Sequence, residues 1–357
     1  MAECPLDLHG RPLGVLRLSL TARCNLACPY CCPDTEDPPG LLTLPERLAL
    51  VEATVGLGVH TLRLTGGEPL LHRGLEELIA ALQPLRRREP GDPRGALREI
   101  ALTSNGVLLG AERARQLKAA GLDRITLSLD GTDGASVARM AGLGGAAAGG
   151  AVLEKVLAAI RHAREAGFDP ARGQLKLNAV ITRSGNADQL LPLAALAREQ
   201  GLELRLIEFM DVGNRNGWEP EQVLPAAEMV ARIGAAWPLE PVGRAPHGTA
   251  SRWRYCDGGG GPGAHLGVVA SITAPFCGDC NRLRITADGR AFTCLFAATG
   301  LDLRPWLRPH PDPAALEAAL RGLWRERRDR WSEERASLSA AAAVSGARHA
   351  EMAYLGG

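Results

Sequence analysis

Aromatic side chains are scarce in this chain of 357 residues: six Trp, five Phe and three Tyr amount to 4%. That leaves little for the stacking platforms on which single-stranded nucleic acid lies. A surplus of one charge is also missing. The formal net charge is +1 at pH 7, which argues against a basic nucleic-acid binder. No uncharged apolar run reaches the length of a membrane span, and the opening MAECPLDLHGRPLG lacks an apolar signal core. The expectation is therefore a cytoplasmic protein that uses neither membrane nor nucleic acid. Lysine is nearly absent: apart from Lys118, Lys155 and Lys176, positive charge is carried by arginine, whose planar fork suits phosphate.

Cysteine is present in a pattern. Nine cysteines in a reducing compartment point to metal or redox chemistry rather than to structural disulfides. Cys24, Cys28, Cys31 and Cys32 fall together, then Cys277, Cys280 and Cys294, while Cys4 and Cys256 stand apart. Apolar content of 46% and charged content of 23% are those of an ordinary globular protein. The length allows one large α/β unit or two domains.

Short β-like runs alternate with helical stretches. VLRLSLT (15–21), HTLRLTG (60–66), REIALTS (98–104), RITLSLD (124–130), QLKLNAVIT (174–182) and ELRLIEF (203–209) read as strands. Stretches 45–58 and 111–121 read as helices, the second closing on a glycine. This rhythm implies parallel strands, and six units suggest an open partial barrel, with a doubly wound open sheet as the alternative. Unusual residues follow successive strands: Cys24 onward, Gly66-Gly67-Glu68-Pro69, Ser104-Asn105-Gly106 and Asp130-Gly131. In parallel folds those positions build the ligand-binding face. GLGGAAAGG (142–150) reads as a flexible loop, and DGGGGPGAHLG (257–267) as a hairpin turn or linker. Stretch 312–338 reads as one helix whose arginine run is a solvated face. The tail AAAAVSGARHAEMAYLGG is expected to be mobile unless docked.

In RCNLACPYCCPD (23–34), Cys24, Cys28 and Cys31 can hold three irons of a four-iron cluster and leave the fourth open. Structural zinc is the alternative if Cys32 or a distant residue completes the set. The C-x3-C-x2-C spacing with Tyr30 before the third cysteine resembles the radical S-adenosylmethionine superfamily. There, S-adenosylmethionine chelates the open iron and is cleaved to methionine and a 5′-deoxyadenosyl radical. The resemblance implies cofactor contacts at Tyr30, at Gly67 and Glu68 of GGEP, and at Ser128 and Met210.

Cys277, Cys280 and Cys294 again give three ligands. Cys256 is a candidate fourth; without it, a second cluster keeps one open iron that can act as a Lewis acid. Arg282 and Arg284 lie two apart on an expected strand and project to one side, beside that open position. RLSLTARCNLACPYC, RLTGGEPL, LTSNG, LSLDG, IEFMDVGN, the C-x2-C-x13-C trio and the terminal Gly356-Gly357 together resemble the GTP 3′,8-cyclases of molybdenum cofactor biosynthesis.

That resemblance implies an α/β fold: an incomplete (β/α)6 TIM-type barrel closed laterally by a smaller C-terminal domain. Its expected division is a barrel at 1–232, a cluster-binding domain at 233–340 and a tail at 341–357. It implies two [4Fe–4S] clusters, S-adenosylmethionine and GTP as substrate. Arg17, Arg63, Thr103, Lys176 and Arg205 would hold GTP mainly by its phosphates. Arg282 and Arg284 would hold the purine and ribose, and Gly356-Gly357 would enter the active site. The implied partners are an electron donor and the downstream cyclic pyranopterin monophosphate synthase, with room for a homodimer. Three places depart from the family pattern: His60-Thr61 where a lysine is frequent, Ala22 for an aspartate, and Cys32 for a methionine. Two other readings stand beside this one. One is a radical peptide maturase with an auxiliary cluster; the other is a zinc-stabilised α/β binding protein.

Overall fold

Six successive strands alternate aliphatic and polar residues: β1 (Val15–Ser19), β2 (Thr61–Thr65), β3 (Glu99–Ser104), β4 (Arg124–Ser128), β5 (Leu175–Ile181) and β6 (Glu203–Glu208). A period of two sends the two sets to opposite faces. In the computed structural model, which describes residues 4–89, 92, 95–335 and 349–357, the aliphatic set is fully buried. Leu16, Leu62, Ile100, Ile125, Leu177 and Leu204 belong to one core with helix residues such as Leu50, Leu78, Leu117 and Ile160. The polar set faces the other way, into the barrel. A lumen lined by arginine, threonine and glutamate cannot collapse into a packed core, so it stays open as a channel.

The six strands are parallel and adjacent in chain order. The chain then adds β7 (Leu239–Arg244), β8 (Ser251–Tyr255), β9 (His265–Val269), β10 (Arg282–Ile285), β11 (Arg290–Phe292) and β12 (Leu301–Asp302). Strand β9 joins the free edge of β6 in parallel and β10 joins the free edge of β1 in parallel. The partial (β/α)6 barrel is thus extended at both open edges by the C-terminal part. The segment between β9 and β10 must cross the gap, and it carries Cys277 and Cys280 on a single 3-10 turn.

Local signals explain the element ends. Thr43 and Glu46 form a reciprocal capping box ahead of helix Leu44–Gly56, and Gly121, at φ +104°, ends helix Ala111–Ala120 in a left-handed turn. The glycine-rich stretch 257–263 turns the β8–β9 hairpin. Two expectations are corrected. GLGGAAAGG is a loop only as far as Gly145; Ala146–Glu165 is a helix, and Gly149 lets its first turns lie against Gly134 and Ala138. Stretch 312–338 is not one helix: Pro313–Arg325 is helical, residues 326–330 are not, 331–335 are helical again, and 336–338 lie outside the described residues. Among the described residues, no single helix is long and apolar enough to cross a membrane.

Candidate active site

The first trio sits on the loop after β1, which rests on the GGEP turn after β2. Gly67 N–H donates to Thr21 O (2.8 Å) and Glu68 N–H to Arg23 O (2.8 Å). A Cβ at Gly67 would overlap the carbonyl oxygens of Ala22 and Arg23. Glu68 is fully buried, and its carboxylate accepts from Ser104 Oγ (2.8 Å), Asn105 N (2.7 Å) and Leu70 N (2.9 Å). Protein donors already occupy this carboxylate, so Glu68 acts by holding two strand-end turns together. Asp37 braces the loop from the other side, accepting from Ala22 N (2.8 Å), Thr21 Oγ1 (2.6 Å) and Arg23 Nε (2.9 Å).

Burial pushes the thiols of Cys24, Cys28 and Cys31 up, that of Cys31 to about 12. Such thiols stay protonated until a metal displaces the protons. Leu26 N (3.5 Å) and Asn105 Nδ2 (3.6 Å) donate to Cys24 Sγ, the kind of N–H···S support that iron–sulfur thiolates use. Cys32, at φ +47°, turns its thiol toward Pro29 O (3.1 Å) and Arg215 O (3.4 Å). Tyr30 is hydrogen-bonded through its hydroxyl to Asp130 (2.6 Å), whose carboxyl burial raises to about 6. Ser128 lines a small hollow with Cys28, Tyr30 and Asn105, whereas Met210 lines the large central cavity, so the two do not share one hollow. Gly67→Ala is expected to shift the cysteine loop and to cost about four of eight irons after reconstitution. Iron analysis checks this; a full iron complement would contradict the bracing role.

The second trio belongs to the C-terminal part: Cys277 and Cys280 precede β10 and Cys294 follows β11. Cys277, Cys280 and Cys294 line a cavity of about 1080 Å³ together with Arg17, Arg63, Thr103, Arg205, Met210, Arg282, Arg284 and Gly357. Burial alone would raise the Cys280 thiol, but Arg282 and Arg327 outweigh it and bring it to about 6. Arg327 Nη2 donates to Cys280 Sγ at 3.1 Å, and its Nη1 donates to Cys280 O (2.6 Å) and pairs with buried Asp7 (3.2 Å). Arg11 Nη1 likewise holds Cys277 O (2.7 Å). Cys256 is exposed on the β8–β9 hairpin and is not part of the cavity lining. Among the described residues, no three His, Cys, Asp or Glu side chains converge at the spacing of a single metal ion.

A second hollow of about 1680 Å³ continues from the first and shares Arg17, Arg63, Arg205 and Arg282 with it. Lys176 lines only this lower hollow, with Glu99, Arg124 and Glu203. Lys176 is the second residue of β5, and the cationic lining runs through the barrel toward its N-terminal end. Glu203 pairs with Lys176 (2.8 Å) and Arg205 (2.5 Å), and Glu99 pairs with Arg124 (2.7 Å). His60 and Thr61 line this end as well. Arg63 Nε, Arg284 Nη1 and Asn178 Oδ1 are buried without a partner among the described residues, which marks a site built for a polar ligand.

Register brings Arg284, Arg17 and Arg63 side by side on β10, β1 and β2. Burial, then the cations of Arg284, Arg63 and Arg282, hold Arg17 well below the ordinary guanidinium range. Arg17 donates to Gly356 O (2.6 Å) and to Gly357 O, so the tail is docked inside the cavity. Tyr354 OH donates to Asp288 (2.9 Å) and Leu355 is fully buried.

Residues missed from the sequence are Asp7, Arg11, Asp37, Arg124, Arg327 and Asp329. Reading the arginine run as a solvated face fails at Arg327, which is 4% exposed and bonded to a trio cysteine. Trp324 and Trp331, seven apart, imitate one helical stripe and conceal the break that turns Arg327 inward.

Comparison with known proteins agrees with this geometry. The Radical SAM superfamily matches residues 18–207 and Molybdenum Cofactor Synthesis C matches residues 202–333. A GTP 3′,8-cyclase of Synechococcus sp. (strain CC9902) is 61% identical over 357 residues, covering 100% of this chain and 99% of the relative. One from Acidothermus cellulolyticus is 44% identical, covering 98% of each. Streptococcus suis SuiB bound to precursor peptide SuiA superposes with a TM-score of 0.60 at 14% identity, over 91% of this chain and 67% of that one. At that identity the likeness concerns the fold alone. Paired cysteine trios, a cation-lined barrel and full-length identity converge: the chain belongs to the GTP 3′,8-cyclase family of radical S-adenosylmethionine enzymes.

Proposed function

We propose that this chain converts GTP to 3′,8-cyclo-GTP, the first step of molybdenum cofactor synthesis, inside the cation-lined channel that reaches the second trio. The observation that carries the proposal is that one continuous cation-lined hollow reaches the second trio and the docked tail. Cys24, Cys28 and Cys31 hold one [4Fe–4S] cluster, and Cys277, Cys280 and Cys294 hold the other. Tyr30, Gly67, Glu68, Ser128 and Met210 form the S-adenosylmethionine side, Glu68 through the turns it fixes. When bound, the first cluster and S-adenosylmethionine supply a 5′-deoxyadenosyl radical that removes hydrogen from ribose C3′.

The protein's own residues set the geometry of the C3′–C8 bond. Arg282 and Arg284 hold the purine and ribose beside the second trio. A triphosphate carries nearly four negative charges, and Arg17, Arg63, Lys176 and Arg205 converge to meet them, with Thr103 donating a hydroxyl. Arg17 and the Gly356-Gly357 backbone close the cavity against water. Residues 1–232 act as the barrel, 233–340 as the cluster-binding part and 341–357 as the tail. The enzyme works in the cytoplasm with an electron donor and passes its product to cyclic pyranopterin monophosphate synthase.

Burial and the neighbouring Arg205 bring the Lys176 ammonium down to about 8, against the upward pull of Glu203. Below that pH it is charged and binds phosphate; above it, GTP binding must take up a proton. The KM for GTP is expected to rise above pH 8, by up to about tenfold per unit, and Lys176→Arg is expected to flatten the rise. A wild-type KM independent of pH from 7 to 9 would remove Lys176 from the phosphate site.

The proposal is tested by anaerobic reconstitution with iron and sulfide, then incubation with S-adenosylmethionine, dithionite and GTP. About eight irons per chain, 5′-deoxyadenosine and a cyclised guanosine product are expected. Stoichiometric zinc without 5′-deoxyadenosine would refute it, and modification of a peptide with GTP inert would favour the maturase reading.

A further inference from the structure

The upper cavity presents many donors and few acceptors. Among its described lining side chains, Asp329 is the one carboxylate, set among Arg17, Arg63, Arg205, Arg282, Arg284 and Arg327. It lies in the non-helical stretch after helix Pro313–Arg325, and the fold fixes it on three sides. Its Oδ2 accepts from Thr293 Oγ1 at 2.5 Å, next to Cys294. The same oxygen lies 3.6 Å from Arg327 Nε, and its backbone carbonyl accepts from Arg11 Nη1 at 2.9 Å. The other oxygen, Oδ1, has no hydrogen-bond donor among the described residues, and the side chain is 31% exposed. A carboxylate pinned by one oxygen, with the other free at the cavity wall, is a preorganised acceptor.

Guanine requires such a group. Arginine donates to its O6 and N7 but offers nothing to its N–H groups. Adenine and hypoxanthine lack the 2-amino donor, and xanthine has a carbonyl oxygen in its place. The other unpartnered acceptor, Asn178 Oδ1, also lines this cavity, but on β5 in register with Arg205, a strand that carries no cysteine of the trio. Asp329 is the acceptor at the second trio, where the purine lies in the reading above.

We propose that Asp329 reads the 2-amino group of guanine through Oδ1 and so sets the nucleobase specificity of the site. The inference rests on GTP being the substrate and adds which group rejects other purine nucleotides. A charged acceptor that meets an N–H in one ligand, nothing in the second and a repelling oxygen in the third discriminates in that order.

The test uses the anaerobically reconstituted full chain and equilibrium dialysis of GTP, ITP and XTP, with iron content measured alongside. The wild type is expected to bind GTP roughly ten- to a hundredfold more tightly than ITP, and XTP more weakly still. Asp329→Asn presents an amide that can donate to the xanthine oxygen. It is expected to lower GTP binding toward that of ITP, to raise XTP binding at least about tenfold and to leave ITP binding and iron content unchanged. Asp329→Ala is expected to lose the preference for GTP without the gain for XTP. The inference is overturned if the wild type binds ITP as tightly as GTP, or if Asp329→Asn leaves the three ratios as they were or weakens all three equally. A wild type that prefers GTP while the variant keeps its ratios leaves the substrate reading standing. A wild type that binds none of the three overturns both.

Discussion

Gly356→Val is expected to lower GTP cyclisation at least about a hundredfold while both sets of irons stay in place. Gly356 sits at φ +71°, a left-handed conformation that β-branched residues avoid, and an added Cβ would overlap Thr65 Oγ1. The tail would have to withdraw from its seat against Ser19 and Thr65, the last residues of β1 and β2. Arg17 would then lose the carbonyl oxygens of Gly356 and Gly357 and swing free among Arg63, Arg282 and Arg284. Misplacing one buried cation by about an ångström is enough for the predicted loss. The cysteines are untouched by this change, so iron analysis and visible absorbance separate a positional effect from a collapsed protein. Wild-type product yield from the valine variant, measured chromatographically under anaerobic conditions, would show that the tail is a passive plug.

Arg282→Ala is expected to remove cyclisation altogether, a loss of roughly a thousandfold or more, again with both clusters assembled. The side chain packs over Phe276, with its guanidinium carbon 5.2 Å from the ring centroid, and it borders both hollows of the channel. It is therefore placed to touch the purine end and the phosphate end of one ligand. Lysine restores the charge but not the planar fork, so Arg282→Lys is expected to recover little. Normal turnover in the alanine variant would refute the assigned role; loss of iron from the second trio would mean that Arg282 supports Cys280 instead.

What could be read from the sequence follows from how local each determinant is. Strands β1 to β6 were legible because leucine or isoleucine recurs at a spacing of two in each. The first trio was legible because Cys24, Cys28 and Cys31 occupy one loop. The second trio was half legible, since Cys294 reaches Cys277 and Cys280 only through the β10–β11 hairpin. Which end of the barrel each cation faces was not legible: Arg17, Lys176 and Arg205 look alike in a strand, and only pairing register sorts them along the axis. Nor were the contacts of Asp7 and Arg11 with Arg327 and the trio, because they join residues more than two hundred positions apart. Ala146 follows Gly142, Gly144 and Gly145, which signal a loop, yet its helix is set by packing against helix Gly134–Ala141, a tertiary effect that local propensity does not carry.

The most direct test of the central claim, that GTP is held between the two trios with its ribose C3′ exposed to the radical, is isotope transfer. The reconstituted protein is given GTP carrying deuterium only at C3′, together with S-adenosylmethionine and reductant, and the 5′-deoxyadenosine is examined by mass spectrometry. One deuterium in the 5′-deoxyadenosine, matched in amount to the cyclised product, is the predicted result. Unlabelled 5′-deoxyadenosine, with the deuterium retained in the nucleotide, would contradict it.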